Sequence, residues 1–487
     1  MRRNLLILMF FILTIGGCRE KLEQPEPALP PAEEQVPEDP SPADPPQPQW
    51  PEGQTGQQYV WDDDCIPQIR IYVKLNEWND LLADYDRHTN GSRYFRCDFV
   101  FDKDGVIDSI PDTGIRVRDN MDGMRPEGSS DEKHKSHGTQ WGLSNYEVNF
   151  LKYVQNDLHT LRYVKGLFLK SCLNDPTYSR ERFCYDTFRQ YGIWTVSNNT
   201  YCRVSIKVEG DAAPAYLGVY QMIEPVNKNY LIARASKFEH TQGYLWKLYK
   251  NCYLNTTNFS SGTDSEDGTI YPYTLIGGQE SLTKASSLLG TFIHELKNIP
   301  NSQFPAWIRQ VCDVDFLLKT YAVNVALGIY DDFWNTGRNS YLYFCPTGQN
   351  GYKVWLIPHD YEMSLGNADA SIMMDPGTQN PYSWGDPSNI LMTRLMAFEE
   401  FRTIYTGYLL ELCNMDSSIL HYDISSRRIL DLMYQVSPFT DNDTGINTAV
   451  TDRPGQYSSN QKYVLTDINS RDNFFITKSL SIAAAAQ

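Results

Sequence analysis

The sequence predicts an α+β fold in which a β-rich half precedes a mainly helical one. Polar and apolar residues alternate in 68–75, 96–101 and 204–208, the period-2 signature of half-buried strands. Helical periodicity takes over in 281–296, 313–327, 390–412 and 424–434. Hydrophobic residues make up 41% of the 487 and aromatic residues 13%, enough to fill a large core.

Taken in order, 68–75 (QIRIYVKL) and 96–101 are strands, the second running into an Asp102-Lys103-Asp104-Gly105 turn. The stretch 161–170 (LRYVKGLFLK) is a third strand ending on Lys170. Asp175 followed by Pro176 reads as an N-cap and a first helical position, with Gly192 as the stop. Phe183, Cys184, Thr187, Phe188 and Tyr191 share one stripe, so a helix is expected over 176–191. Residues 204–208 and 218–224 are the next two strands. One hairpin interrupts the helical half, with 340–344 and 352–357 flanking a turn in which Gly348, Asn350 and Gly351 tolerate positive φ. The globular part is therefore 59–487, one large domain of two lobes, about 59–225 and 226–487.

Upstream of it, Arg2 and Arg3 precede an apolar run over 5–15 and then Gly16-Gly17-Cys18, the pattern of a bacterial lipoprotein signal. That run is too short to span about 30 Å of hydrocarbon. Cys18 is then the lipidated N-terminus, and the expectation is an exported lipoprotein anchored to a membrane, at the outer membrane or cell surface. Residues 19–58 are rich in Pro and Glu, with little to bury, and read as an extended tether. A net charge of −17 argues against a nucleic-acid binder that works by neutralising phosphates. None of the cysteines after Cys18 forms a C-x-x-C pair, which argues against a zinc ribbon or a thioredoxin-like site.

Chemistry-bearing side chains gather at both ends of the hairpin. Asp331, Asp332, Asn335 and Asn339 precede it; His359, Asp360 and Glu362 follow it. A hairpin returns its ends to nearly the same place, so these oxygens converge, and carboxylate and amide oxygens suit a hard cation such as Mg²⁺. The order Asp, Asn, hairpin, Asp is also that of the catalytic and metal-binding loops of protein kinases.

At these residues the chain resembles the spore-coat CotH kinase family. The resemblance rests on Asp331-Asp332-Phe333, Asn339-Ser340-Tyr341-Leu342-Tyr343, and Ile357-Pro358-His359-Asp360-Tyr361-Glu362 with Gly366. Two earlier blocks are similar as well: Asp175-Pro176 with Ser179-Arg180-Glu181, and Gly218-Val219-Tyr220 with Glu224. The resemblance implies an atypical protein-kinase-like bilobal fold that binds ATP and Mg²⁺ and phosphorylates Ser or Thr of an exported or surface protein. It puts Asp331 in the position of the catalytic Asp, with Asp332 as the fallback. Asp360, Asn339 and Glu362 take the metal positions, and Glu224 the lobe junction where adenine binds. Lys152 or Lys170 would reach the phosphates. The competing reading is a catalytically degenerate surface lipoprotein acting as a binding or assembly module. It is motivated by Asp119 where the family has glycine, and by Glu147 and Asn149 where the family has lysines.

Overall fold

A computed structural model describes residues 56–487 apart from 89–90, 92, 119–123, 136–139, 265–267, 279–280, 349–350, 370–373 and 415–418. Cys18, the signal segment, nearly all of the tether and Asp119 lie outside the described residues. The fold is α+β.

After a short helix α1 (Gly56–Trp61), the chain lays down β1 (Gln68–Val73), α2 (Leu75–Arg87), β2 (Phe95–Lys103), β3 (Val106–Val117), β4 (Tyr146–Asn149) and β5 (Gly166–Ser171). It continues with α3 (Arg180–Gln190), β6 (Asn199–Val208) and β7 (Ala215–Ile223). The seven strands close a barrel in the order β1-β2-β3-β4-β5-β7-β6, sealed by the parallel pairing of β1 with β6. Alternation fills its interior: Ile69, Ile71 and Val73 of β1 meet Phe99 and Phe101 of β2 and Val204 and Ile206 of β6 in one core.

Next come α4 (Lys228–Ala233), β8 (Tyr244–Leu248), β9 (Ser261–Thr263), β10 (Tyr273–Gly277), α5 (Leu282–Asn298), α6 (Phe304–Val311) and α7 (Val314–Ala326). The hairpin follows as β11 (Ser340–Thr347) and β12 (Gly351–Pro358), then α8 (Ile390–Met396), α9 (Glu399–Leu412), α10 (Tyr422–Val436) and α11 (Phe474–Ala485). The hairpin is one edge of a five-stranded sheet, β12-β11-β8-β10-β9. The largest core runs from α3 through this sheet into the helices, joining Phe183 and Phe188 to Trp246, Leu318 and Phe401.

Three expected elements differ. The helix expected over 176–191 begins at Arg180, with Ser179 at its cap position. Asp175 is not at the cap position, yet its carboxylate accepts from the backbone N–H of Arg180, the first helical residue, at 2.8 Å, as well as from Thr177 Oγ1 at 2.7 Å and the Arg180 guanidinium at 2.6 Å, closing a tight loop ahead of the helix. The strand expected over 161–170 is shorter, because Arg162 and Tyr163 take φ of 50° and 71° and turn the chain. Arg162 pairs with Asp108 at 2.7 Å and lies 4.1 Å over the Tyr59 ring, which holds that turn. The stretch 390–412 is two helices, broken at the extended Phe398, whose ring stacks on Phe304 at 5.3 Å.

The nine described cysteines all carry free thiols, and eight of them are buried. No helix among the described residues is long and apolar enough to cross a membrane.

Candidate functional site

A cleft of about 380 Å³ opens where β5, β8 and the two ends of the β11–β12 hairpin meet. Lys170, second to last in β5, enters it from the barrel and is 4% exposed. Eleven positions on, Glu181 sits in the first turn of α3. The fully buried Arg180 and its partner Asp175 fix how that helix starts, and so aim Glu181 at the lysine. The hairpin supplies the rest. His359 N donates to Asn339 O at 3.1 Å, tying the two ends together. Asp360 and Glu362 follow immediately.

Lys170 Nζ lies 2.5 Å from Asp360 Oδ1, 2.9 Å from Glu181 Oε2 and 3.2 Å from Glu362 Oε2. Asp360 and Asn339 both adopt left-handed backbone, with φ of 68° and 54°. Side-chain-bearing residues rarely take that conformation, and where they do it is often at a site that needs it. Burial alone would discharge the Lys170 ammonium; the three carboxylates outweigh burial and hold its pKa well above the ordinary lysine range. Burial also raises the Glu181 and Glu362 carboxyls, with Lys170 opposing the shift and Asp360 adding to it.

One oxygen from each of Glu181, Asp360 and Glu362 lies within 4.8 Å of the others. A compact set of hard carboxylate oxygens fits Mg²⁺.

Across the cleft, the neighbours Asp331 and Asp332 part company. Asp331 lines the cleft. Its Oδ1 accepts from Arg338 Nε at 2.5 Å and Thr336 Oγ1 at 2.8 Å, and its Oδ2 from Asn339 Nδ2 at 3.1 Å. Asn339 Nδ2 also donates to the Asp331 carbonyl at 2.8 Å, so the amide oxygen is the end not spent on Asp331. Asp332 is 4% exposed and turned inward, accepting from the backbone of Trp334 and Asn335 and from the side chains of Asn335 and Asn324. Burial pushes its carboxyl up to about 7 despite these donors.

The family model described as CotH kinase protein matches residues 127–474. The chain belongs to that family. No curated protein matches it. The CotH match begins after β3, so the first three barrel strands and α2 lie before it.

The cleft of this CotH chain brings together six of the residues named from sequence: Asp331, Asn339, His359, Asp360, Glu362 and Lys170. Lys152 and Glu224, like the inward-turned Asp332 and Asn335, are not among its lining residues. Lys152 lies 5.1 Å over the Tyr94 ring. Glu224 accepts from both terminal nitrogens of Arg234, at 3.0 and 2.8 Å, and lines a separate recess of about 130 Å³ with Trp61 and Tyr230. His359 is a wall of the cleft, 7% exposed, with Tyr185 Oη 3.3 Å from its Nδ1.

Glu181, Lys247 and Arg338 escaped the sequence reading. Lys247, on β8, is 5% exposed and lies 4.8 Å from the Tyr249 ring centre. The available signal was a carboxylate in the first turn of the helix that follows the strand ending in Lys170, since a strand lysine of this kind needs an acid to keep its charge when buried.

Proposed function

We propose that this CotH-family chain is a protein kinase that moves the γ-phosphoryl group of ATP, with Mg²⁺, to a Ser or Thr hydroxyl of an exported or surface protein. In this reading the barrel and the helical part are the two lobes of a kinase-like fold, about 59–225 and 226–487. The observation that carries it is the meeting of Lys170, Glu181 and Asp360 in the cleft that Asp331 lines. Protein kinases need a strand lysine paired with a helix glutamate, a metal-holding Asp after the hairpin and an Asp that receives the acceptor hydroxyl.

Each residue then has a task. Asp331 is turned to the cleft by Arg338, Thr336 and Asn339; its Oδ2, with one donor instead of two, orients the acceptor hydroxyl and takes its proton. Lys170, kept charged by its neighbours, is available to the β- and γ-phosphate oxygens. Asp360 and Glu362 hold Mg²⁺, with Asn339 as an added amide ligand. Bound Mg²⁺ supplies positive charge that offsets the charge spread over the transferring group. Little covalent chemistry is asked of the protein beyond positioning. A lipid on Cys18 and the 19–58 tether would hold this domain at a membrane surface, near exported acceptors.

One observation favours the second reading, a CotH-fold binding module. Arg116 and Arg118, which precede Asp119, are tied to Glu147 at 2.7 and 3.3 Å and to Asp264 at 3.2 and 2.8 Å, so two basic side chains of the barrel are already neutralised.

The deciding experiment incubates the purified protein with γ-labelled ATP, Mg²⁺ and candidate exported proteins, beside Asp331→Asn. Label on Ser or Thr that falls at least about 100-fold in the variant supports the kinase. Nucleotide binding by neither protein, with no label, would leave the binding module.

A further inference from the structure

We infer that Lys247 is a second phosphate-binding cation of the cleft, holding the nucleotide's phosphate chain from the five-stranded sheet while Lys170 holds it from the barrel with its pair to Glu181 intact. The inference rests on the kinase reading and gives a task to a residue outside the parts which that reading uses.

Register puts Lys247 at the root of the hairpin. On β8 it pairs with Tyr341 of β11, and the next residue, Leu248, pairs with Ser340. Asn339, one position before β11, is therefore diagonal to it, and diagonal neighbours on adjacent strands stand about 7–8 Å apart. That is within reach of a lysine's flexible four-carbon stem. The Lys247 ammonium lies 4.8 Å from the Tyr249 ring centre and 5.8 Å from the Tyr341 ring centre. Aromatic rings attract an ammonium and fix its place without bringing a charge that would cancel its own. Lys247 is 5% exposed, yet it lines the cleft together with Lys170, Asn339 and Asp360. A cation so placed acts through little water, and its attraction for an anion is stronger than at the surface.

The phosphates need that charge. Lys170 shares its ammonium among Glu181, Asp360 and Glu362. On the barrel, Arg116 and Arg118 are tied to Glu147 and Asp264. Mg²⁺ on Asp360, Glu362 and Asn339 meets carboxylates as well as phosphate. Lys247 comes from the sheet and not the barrel, so it meets a phosphate without disturbing the Lys170–Glu181 pair or the metal ligands. Its depth favours the nucleotide over the acceptor. An acceptor protein presents its hydroxyl at the mouth of the cleft, whereas so buried an ammonium is met only by a ligand that enters the floor.

The test is a calorimetric titration of the full-length protein, in Mg²⁺, with ATP, inorganic triphosphate and adenosine. Lys247→Met is expected to bind ATP and inorganic triphosphate at least about tenfold more weakly than wild type, the loss of one charge-assisted phosphate contact, with adenosine affinity unchanged. Lys247→Arg keeps the charge and should recover most of the loss. Where Lys247→Met does not fold, Lys247→Gln, which keeps a polar head, carries the same comparison. Unchanged ATP affinity in the uncharged variant would overturn the inference, and so would an equal loss for adenosine and ATP, which marks a merely structural residue. No triphosphate binding by wild type would overturn it together with the kinase reading. Failure of the kinase reading alone looks different: triphosphate affinity still depends on residue 247, but no phosphoryl transfer is found.

Discussion

Two buried lysines in this protein have opposite fates. Lys170 in the cleft is 4% exposed, Lys478 in α11 is 1% exposed, and both are removed from water. Around Lys170 three carboxylates stand within 3.2 Å, and the ammonium is held charged. Lys478 has the Pro376 carbonyl at 2.8 Å and the Trp384 ring at 4.1 Å; burial pushes its pKa down to about 7. Burial alone therefore does not make a functional lysine. What separates them is surplus negative charge, present at the cleft and balanced away elsewhere, as where Arg116 and Arg118 face Glu147 and Asp264.

The largest expected effect breaks the charged side of the comparison. Lys170→Met in metal-free buffer leaves three carboxylates facing one another in a buried place and should cost about 3–5 kcal/mol of stability by urea denaturation. A cost below about 1 kcal/mol would mean that they are not held together by the lysine.

The opposite change is expected at the other lysine, where Lys478→Met should stabilise the fold. The Lys478 pKa is about 7 folded against 10.5 as the ordinary value. Between those values the unfolded chain binds more protons, so wild-type stability rises with pH across the window. The penalty is fully present below pH 7 and fades towards pH 10.5. The variant should gain about 3 kcal/mol at pH 7, and thermal melts should show that gain shrinking by pH 9.5.

Asp332 sharpens the point with a buried acid that has donors but no cation. Asp332→Ala leaves buried N–H groups without a partner and should cost about 2 kcal/mol. Its folded pKa of about 7 lies above the ordinary 3.8, so the folded state binds more protons between them. Wild-type stability from this residue therefore falls as pH rises through that window, a slope the variant should lack in denaturation at pH 5 and pH 8. Smallest is Arg116→Gln in the balanced network, about 1 kcal/mol or less, with Mg²⁺ binding unchanged.

Much of the hairpin was legible because its signals are local. The aromatic and β-branched runs 340–344 and 352–357 and the glycine-bearing turn between them specify β11 and β12 without help from the rest of the chain. The convergence of Asp331, Asn339 and Asp360 follows from the hairpin itself. Elements set by packing were harder to read. The YLWKL of β8 is a short apolar run that becomes a strand by pairing with β11 and β10. The Asp175-Pro176 pair has the composition of a helix start, yet the helix begins four residues later than Pro176, and Asp175 reaches both the backbone N–H and the guanidinium of Arg180 only because the folded loop brings them near.

The same division holds at the site. Lys170 was visible as the end of a strand, whereas its ion pair with Glu181 depends on how α3 packs beside β5, and the place of that acid in the first turn of the next helix is the one local sign of it. Glu224 was drawn towards the site by its motif; Arg234, ten residues on, takes it elsewhere.

The most direct measurement is a calorimetric titration of the full-length protein with ATP and Mg²⁺, repeated with Asp360→Asn. Wild type is expected to show saturable binding that weakens at least tenfold in the variant and disappears when Mg²⁺ is removed. Equal affinity in both proteins, or no binding by wild type at millimolar nucleotide, would contradict the kinase reading.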